Sequence, residues 1–175
     1  NMFLNIRDME FRPIEFDLTY SPGEIEDLAD GLKQKSDLKV TGRAELLKSV
    51  DEIRVRGKLT VELESACERC LDTAVFPIAT EFDLFYRPSE ESETHGELAL
   101  KEGEIEIAFY DGDGLELEEI LREQVLLALP MQRLCREGCK GLCPICGANQ
   151  SQGTCNCVME VVDERWAALR KLSTK

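Results

Sequence analysis

The sequence predicts an α+β protein built from an antiparallel β meander or partly open barrel, one long helix and a C-terminal cysteine-rich module. Three observations predict this class. Apolar and polar residues alternate over several segments between residues 12 and 110, as they do in half-buried strands. One segment, 115–129, has apolar residues at helical spacing. Six of the eight cysteines follow that segment in close succession.

Four segments in the first half of the chain have the pattern of strands. Residues 12–19 alternate apolar and polar, and a Ser-Pro-Gly turn ends them. Residues 38–47 and 53–63 are two longer runs whose close spacing predicts a hairpin. Residues 74–86 predict another strand, in which Pro77 restricts the first half to a sheet edge or a bulge.

A further strand and the long helix are predicted before the last cysteines. Residues 105–110 predict the strand, and an Asp-Gly-Asp-Gly turn follows it. Asp113 is expected to cap a helix over 115–129, whose first turn is rich in glutamate. Pro130 is expected to end it.

The length of 175 residues suits one domain plus a small module. We expect an acidic β-rich domain over 2–130, interrupted at 88–103 by a flexible acidic loop dense in glutamate and serine. The module is expected to span 131–175 and to end in a short helix capped by Asp163, with Trp166 on its apolar side.

The net charge of −14 argues against a protein that coats nucleic acid through a general positive field. Residues 131–175 nevertheless hold seven basic and four acidic residues. Within the hairpin, alternation places Arg54, Arg56 and Lys58 on one face of a strand. That face is either an ordinary solvated surface or a stripe that contacts phosphates, and the alternation allows both interpretations.

The cysteines have the spacing of metal ligands. In a chain without a visible secretion signal, such pairs indicate metal binding rather than disulfides, and eight thiolates suit two structural zinc ions. Cys-Pro-Ile-Cys-Gly at 143–147 has the form of a zinc knuckle, so the module is expected to be a zinc-knuckle module. Spacing favours two sets, Cys143, Cys146, Cys155 and Cys157, and Cys67, Cys70, Cys135 and Cys139. A pairing of 67 and 70 with 143 and 146 stays open.

Enzymatic interpretations of these cysteines fit less well. The spacing from Cys139 to Cys146 matches the cluster motif of radical enzymes that use S-adenosylmethionine, but only 29 residues follow it. His95 with later cysteines resembles a zinc deaminase signature, yet the order of proline and cysteine differs. A thioredoxin-like pair would need to open a helix, whereas Cys67 follows a predicted strand. We therefore expect no enzymatic activity and no small-molecule substrate.

No apolar run is long enough to cross a membrane, which needs ~18 residues. The first residues carry charges where a signal peptide would be apolar. The expected location is the cytoplasm, without membrane contact.

The chain resembles the YceD family. The resemblance lies in Cys67-Glu-Arg-Cys70, in Leu-Pro at 129–130, in the run from Cys135 through Cys-Lys-Gly-Leu-Cys-Pro-Ile-Cys-Gly to Asn149, and in the final 166–172 segment. It implies a non-catalytic protein needed for accumulation of large-subunit ribosomal RNA, often encoded beside a zinc-ribbon protein of that subunit.

Two partners are therefore expected, ribosomal RNA or assembly intermediates of the large subunit, and a basic zinc-ribbon ribosomal protein. The RNA-binding candidates are the basic residues Arg54, Arg56, Lys58, Arg133, Arg136 and Lys140. The acidic region is expected to attract the ribosomal protein. A metal-dependent redox or iron–sulfur protein and a zinc-transfer chaperone are the alternatives.

Overall fold

The computed structural model describes residues 2–89 and 107–157 and shows a mostly antiparallel, mixed sheet with two helices. Among these residues no helix has the length and apolar composition needed to cross a bilayer. The elements in chain order are β1 (Phe3–Asn5), α1 (Ile6–Phe11), β2 (Ile14–Tyr20), β3 (Lys33–Gln34), β4 (Leu38–Leu47), β5 (Glu52–Ala66), β6 (Thr73–Pro88), β7 (Ile107–Tyr110), β8 (Gly114–Glu116) and α2 (Leu117–Ala128).

The main sheet has the strand order β2–β4–β5–β6–β7, and β3 pairs with β5 beyond the end of β4. Strands β4, β5 and β6 form the predicted antiparallel meander. The β4–β5 ladder runs from Lys39↔Thr60 to Leu47↔Glu52, and the β5–β6 ladder runs from Ile53↔Tyr86 to Ala66↔Thr73. Only β7 is parallel to its neighbour β6. Because β2 and β7 do not meet in the described part of the chain, the sheet is open there, so of the two predicted forms, a meander or a partly open barrel, the structure shows the meander.

Strand β5 shows why the alternating pattern folds as it does. Ile53, Val55 and Leu59 are almost completely buried and face the core. The intervening basic residues project to the opposite, outer face, as the sequence predicts. In β6, Pro77 lies in the half of the strand for which only β5 is a described neighbour, so its missing N–H interrupts no second ladder.

The expectation of one long helix over 115–129 needs correction. Helix α2 has 12 residues and begins at Leu117, because Leu115 and Glu116 extend β8 and pair with β1. The cap is Glu116 rather than Asp113, whose carbonyl instead accepts the Ile6 N–H at 2.9 Å. The helix ends at Ala128, one residue earlier than predicted, and Leu129, which precedes Pro130, is its C-cap.

Helix α1 was not expected from the sequence. It spans six residues, and the Asn5 side chain caps it by accepting the Arg7 N–H at 2.9 Å. The only local signal for it is that asparagine, which is a preferred N-cap residue.

A buried carboxylate connects the N-terminus, β2 and α2. Glu118 accepts hydrogen bonds from the Met2 N–H at 2.8 Å and from the Tyr20 hydroxyl at 3.1 Å, and it is 5% exposed. Burial, together with the Glu118 carboxylate, raises the pKa of Tyr20. Tyr20 therefore remains a donor at any physiological pH.

Two glycines face each other in β4 and β5 beneath aromatic rings. Gly42 pairs with Gly57, and Phe16 and Phe82 are their partners on the flanking strands. A Cβ on Gly42 would lie 2.5 Å from both the Arg56 carbonyl oxygen and the Phe16 Cζ. The rings therefore occupy the space that side chains would take, which fixes glycine at both positions.

Some expectations fall on residues outside the described ranges. They are the acidic loop from residue 90 onward, His95 within it, and the last helix from Asp163 with Trp166. Pro88, the expected first residue of that loop, is instead the last residue of β6 and pairs with Tyr110.

Candidate metal centres

The first pair of cysteines lies on the turn between β5 and β6. The Cys67 N–H donates to the Asp72 carbonyl at 2.7 Å, and the Leu71 N–H donates to the Cys67 carbonyl at 2.9 Å. Leu71 has a φ of 64°, a left-handed conformation that closes the turn. The turn directs both thiols to one side.

Cysteines 135 and 139 complete the first four-thiol cluster, here called cluster A. The four Sγ atoms lie within 4.8 Å of one another, with 3.9 Å between those of Cys67 and Cys139 and 3.6 Å between those of Cys70 and Cys135. Cys67 and Cys139 are completely buried. Cluster A therefore joins the tip of the central hairpin to a segment about 70 residues further along the chain.

The second cluster, cluster B, is local in sequence. It consists of Cys143, Cys146, Cys155 and Cys157, whose Sγ atoms also lie within 4.8 Å of one another. Its turn is closed by the Gly147 N–H, which donates to the Cys143 carbonyl at 2.8 Å, and Gly147 adopts a φ of 72°. Glycine is favoured there because that φ strains other residues.

The structure thus brings the eight cysteines together in the two sets that spacing favoured. The alternative pairing of 67 and 70 with 143 and 146 does not occur. Both sets offer four thiol sulfurs, which suits a tetrahedral, four-coordinate ion such as zinc. These clusters could each hold one metal ion.

Hydrogen bonds other than those of the thiols attach residues 131–157, here called the cysteine module, to the sheet. The Arg69 guanidinium donates to the Cys139 carbonyl at 2.9 Å, and the Leu142 N–H donates to the Arg69 carbonyl at 3.1 Å. The Asn149 amide donates to the Asp72 carboxylate at 2.8 Å. Sequence reasoning missed these contacts, although Arg69 stands inside the Cys67–Cys70 motif.

The thiols of each cluster differ in acidity. Burial raises the pKa of Cys67, but hydrogen bonds from the backbone N–H groups of Arg69, Cys135 and Cys70 outweigh burial and lower this pKa to about 6. The Cys146 and Ile145 N–H groups lower the pKa of Cys143 to about 6. In contrast, the neighbouring Cys146 thiol and burial raise the pKa of Cys157 to about 12. Clustered thiolates repel, and a divalent cation removes that repulsion.

The predicted basic stripe on β5 lies among acidic side chains. Arg54 donates to both carboxylate oxygens of Asp83, at 2.8 and 2.7 Å, and lies over the Phe85 ring at 5.2 Å from its centroid. Arg56 lies 3.7 Å from Glu45. Lys58 is exposed and stands opposite Glu81 across the ladder.

The basic residues Arg133, Arg136 and Lys140 of the cysteine module have fewer acidic neighbours than the basic residues of β5. Arg133 forms a long ion pair of 3.9 Å with Glu68. Arg136 donates to the Ser151 carbonyl at 2.8 Å, and the Lys140 N–H donates to the Ser151 hydroxyl at 2.9 Å. Within residues 2–89 and 107–157, neither Arg136 nor Lys140 has an acidic partner within 4 Å.

A family model and several known proteins are similar to this chain. Residues 55–173 match the model of the family described as "Large ribosomal RNA subunit accumulation protein YceD". A Bacillus subtilis protein described as "Uncharacterized protein YlbN" is 26% identical over 171 residues, covering 95% of this chain and 92% of that protein.

A maize protein described as "Large ribosomal RNA subunit accumulation protein YCED homolog 1, chloroplastic" is 25% identical over 192 residues, covering 86% of this chain and 66% of that protein. A Mycobacterium tuberculosis protein is 29% identical over 125 residues, covering 70% of this chain and 57% of its own length. No solved structure matches the chain.

Proposed function

The chain belongs to the YceD family, and from this we propose that it acts in the accumulation of large-subunit ribosomal RNA as a metal-stapled binding factor without a catalytic step. The observation that carries the proposal is the family match over 55–173, which contains all eight cysteines. The two clusters are thus part of the segment that the family shares.

Zinc is the ion we propose for both clusters. Bound zinc would supply cross-linking, since it accepts four thiolates and takes no part in redox chemistry. The chain's own residues position the sulfurs: the β5–β6 turn orients Cys67 and Cys70, and the Gly147 turn orients Cys143 and Cys146. Four thiols leave no coordination position for a substrate, which supports a structural role.

Charge supports a basic protein as the partner. Each cluster of four thiolates and one divalent ion carries a formal charge of about −2. Two such clusters would bring the net charge of the chain from −14 to about −18. A surface this acidic attracts cationic segments, such as those of a basic ribosomal protein, and repels RNA phosphates.

Sedimentation of the tagged chain through a density gradient of cell lysate tests the proposed function. We expect the chain to migrate with particles lighter than the mature large subunit at low salt and to leave them at high salt, because the contacts are ionic. Probing each fraction for ribosomal RNA identifies the particles. A chain that stayed at the top at both salt concentrations would contradict action on assembly intermediates and would favour action on a free ribosomal protein.

Direct binding to RNA is a second candidate, favoured by Arg136 and Lys140, which have no acidic partner within 4 Å among the described residues. If this mode operates, the triple substitution Arg133→Glu, Arg136→Glu and Lys140→Glu should abolish crosslinking to ribosomal RNA without loss of zinc. The matched control reverses Arg54, Arg56 and Lys58 on the sheet, where acids already lie nearby. Crosslinking that survived the triple substitution in the module would contradict this mode.

A further inference from the structure

The strand β2 lies at one edge of the main sheet, and this edge is free among the residues that the structure describes. β2 pairs with β4 along its whole length, from Ile14↔Ala44 to Tyr20↔Leu38. Within the described ranges no strand pairs with its other side, and the one further hydrogen bond to its backbone runs from Gln34 Nε2 to the Tyr20 carbonyl at 3.0 Å. An edge of this kind is a template for an added extended segment.

The side chains along this edge indicate that the sheet is incomplete there. On the core face, Phe16 is buried but Ile14, Leu18 and Tyr20 are only half-buried, whereas Ile53 and Val55 on the central strand are fully buried. A further strand with apolar side chains on the same face would cover them. The seven residues of β2 suffice for a ladder of ordinary length.

The outer face of the same strand carries the charges that select an occupant. Glu15 and Asp17 are exposed; Glu15 stands opposite Arg43 of β4 across the ladder, whereas Asp17 stands opposite the uncharged Thr41. The strand itself contains neither lysine nor proline, the residues that commonly protect sheet edges. A second copy of β2 in symmetric antiparallel pairing would place carboxylate against carboxylate, which is destabilising. RNA phosphates would meet the same repulsion.

We propose that the free edge of β2 captures an extended protein segment in which lysine or arginine alternates with apolar residues. Its backbone extends the ladder beyond β2, its basic side chains lie beside Glu15 and Asp17, and its apolar side chains pack beside Ile14 and Leu18. This inference rests on the proposed function, which supplies the kind of partner, a basic ribosomal protein. It adds where that partner binds and in which conformation.

A peptide titration tests the inference. The probe is a fluorescent, end-capped peptide of about nine residues in which lysine and valine alternate, titrated with the full zinc-loaded chain and followed by anisotropy. Backbone methylation of alternate peptide nitrogens separates strand addition from simple charge attraction. Methylation of the nitrogens that face β2 should weaken binding at least about tenfold, while methylation of the intervening ones should be tolerated. Equal affinity of the two methylated peptides would overturn the proposal.

Charge reversal locates the site. The double substitution Glu15→Lys and Asp17→Lys should weaken peptide binding at least about tenfold. The matched control, Glu62→Lys and Glu81→Lys, changes the net charge equally on exposed positions of the central strands and should have little effect. Equal losses from both pairs would overturn the proposal, as would tighter binding of a nine-nucleotide oligouridine than of the peptide. The peptide titration contains no ribosomal particles. A failure of strand addition in this titration therefore leaves the proposed function, which the sedimentation experiment tests, unaffected.

Discussion

Replacing Cys67 with serine is expected to remove one zinc ion and to detach the cysteine module from the sheet. Cys67 is completely buried in cluster A, and its sulfur lies 3.9 Å from that of Cys139. A cross-link across about 70 residues removes on the order of 4 kcal/mol of loop-closure entropy from the unfolded chain, by analogy with a disulfide. We expect the variant to lose a stabilisation of that order.

Metal analysis tests the expected loss of zinc, and amide hydrogen exchange tests the expected detachment of the cysteine module. The unaltered chain should be colourless and hold about two zinc ions, whereas visible absorbance would indicate an iron–sulfur cluster. In Cys67→Ser, the amides of Glu68 and Leu142, which donate across the boundary to Arg133 and Arg69, should lose protection.

A matched substitution in cluster B serves as the control. Cys146→Ser should also remove one zinc ion, but its cluster is local, so the amides of Glu68 and Leu142 should stay protected. If those amides remained protected in Cys67→Ser as well, cluster A would not be what holds the module on the hairpin.

Replacing Gly42 with alanine is expected to lower the free energy of unfolding by about 2 to 3 kcal/mol. The added Cβ would meet the Arg56 carbonyl oxygen at 2.5 Å, and because that atom belongs to the backbone, no rotamer change relieves the overlap. The adjacent Phe16 ring, also at 2.5 Å, would have to move as well. The sheet would thus be strained between β2 and β5.

Urea unfolding of Gly42→Ala beside Gly153→Ala measures this effect. Nothing lies within 4 Å of a Cβ on Gly153, so the control should change the free energy of unfolding by no more than about 0.5 kcal/mol. Similar midpoints for the two variants would contradict the account of the glycine pair.

The cysteine clusters could be predicted because their ligands come in pairs that lie close together in the sequence. Each Cys-x-x-Cys turn orients two sulfurs by itself, and the short span from Cys146 to Cys155 leaves little freedom in the choice of partners. The four cysteines of cluster A then followed by elimination. The alternation in β5 likewise predicted one basic face, since period two is a property of the strand alone.

Contacts between distant segments could not be predicted in this way. The Asp-Gly-Asp-Gly turn has the composition of a helix start, yet pairing of β8 with β1 takes the residues after Asp113 into a strand. Three-residue strands carry no readable period, so β1 was missed. The neutralisation of Arg54 by Asp83 depends on the register between β5 and β6, which no local pattern contains.

The long span of cluster A has a consequence for the order of events during translation. Cys67 and Cys70 leave the ribosome well before Cys135 and Cys139, and at ~5 to 20 residues per second the interval is several seconds. The β4–β5–β6 hairpins can form in that time from sequence-adjacent strands. If cluster A binds a metal ion, the binding would therefore be a late step that acts on an already folded meander and attaches the nascent C-terminal segment to it.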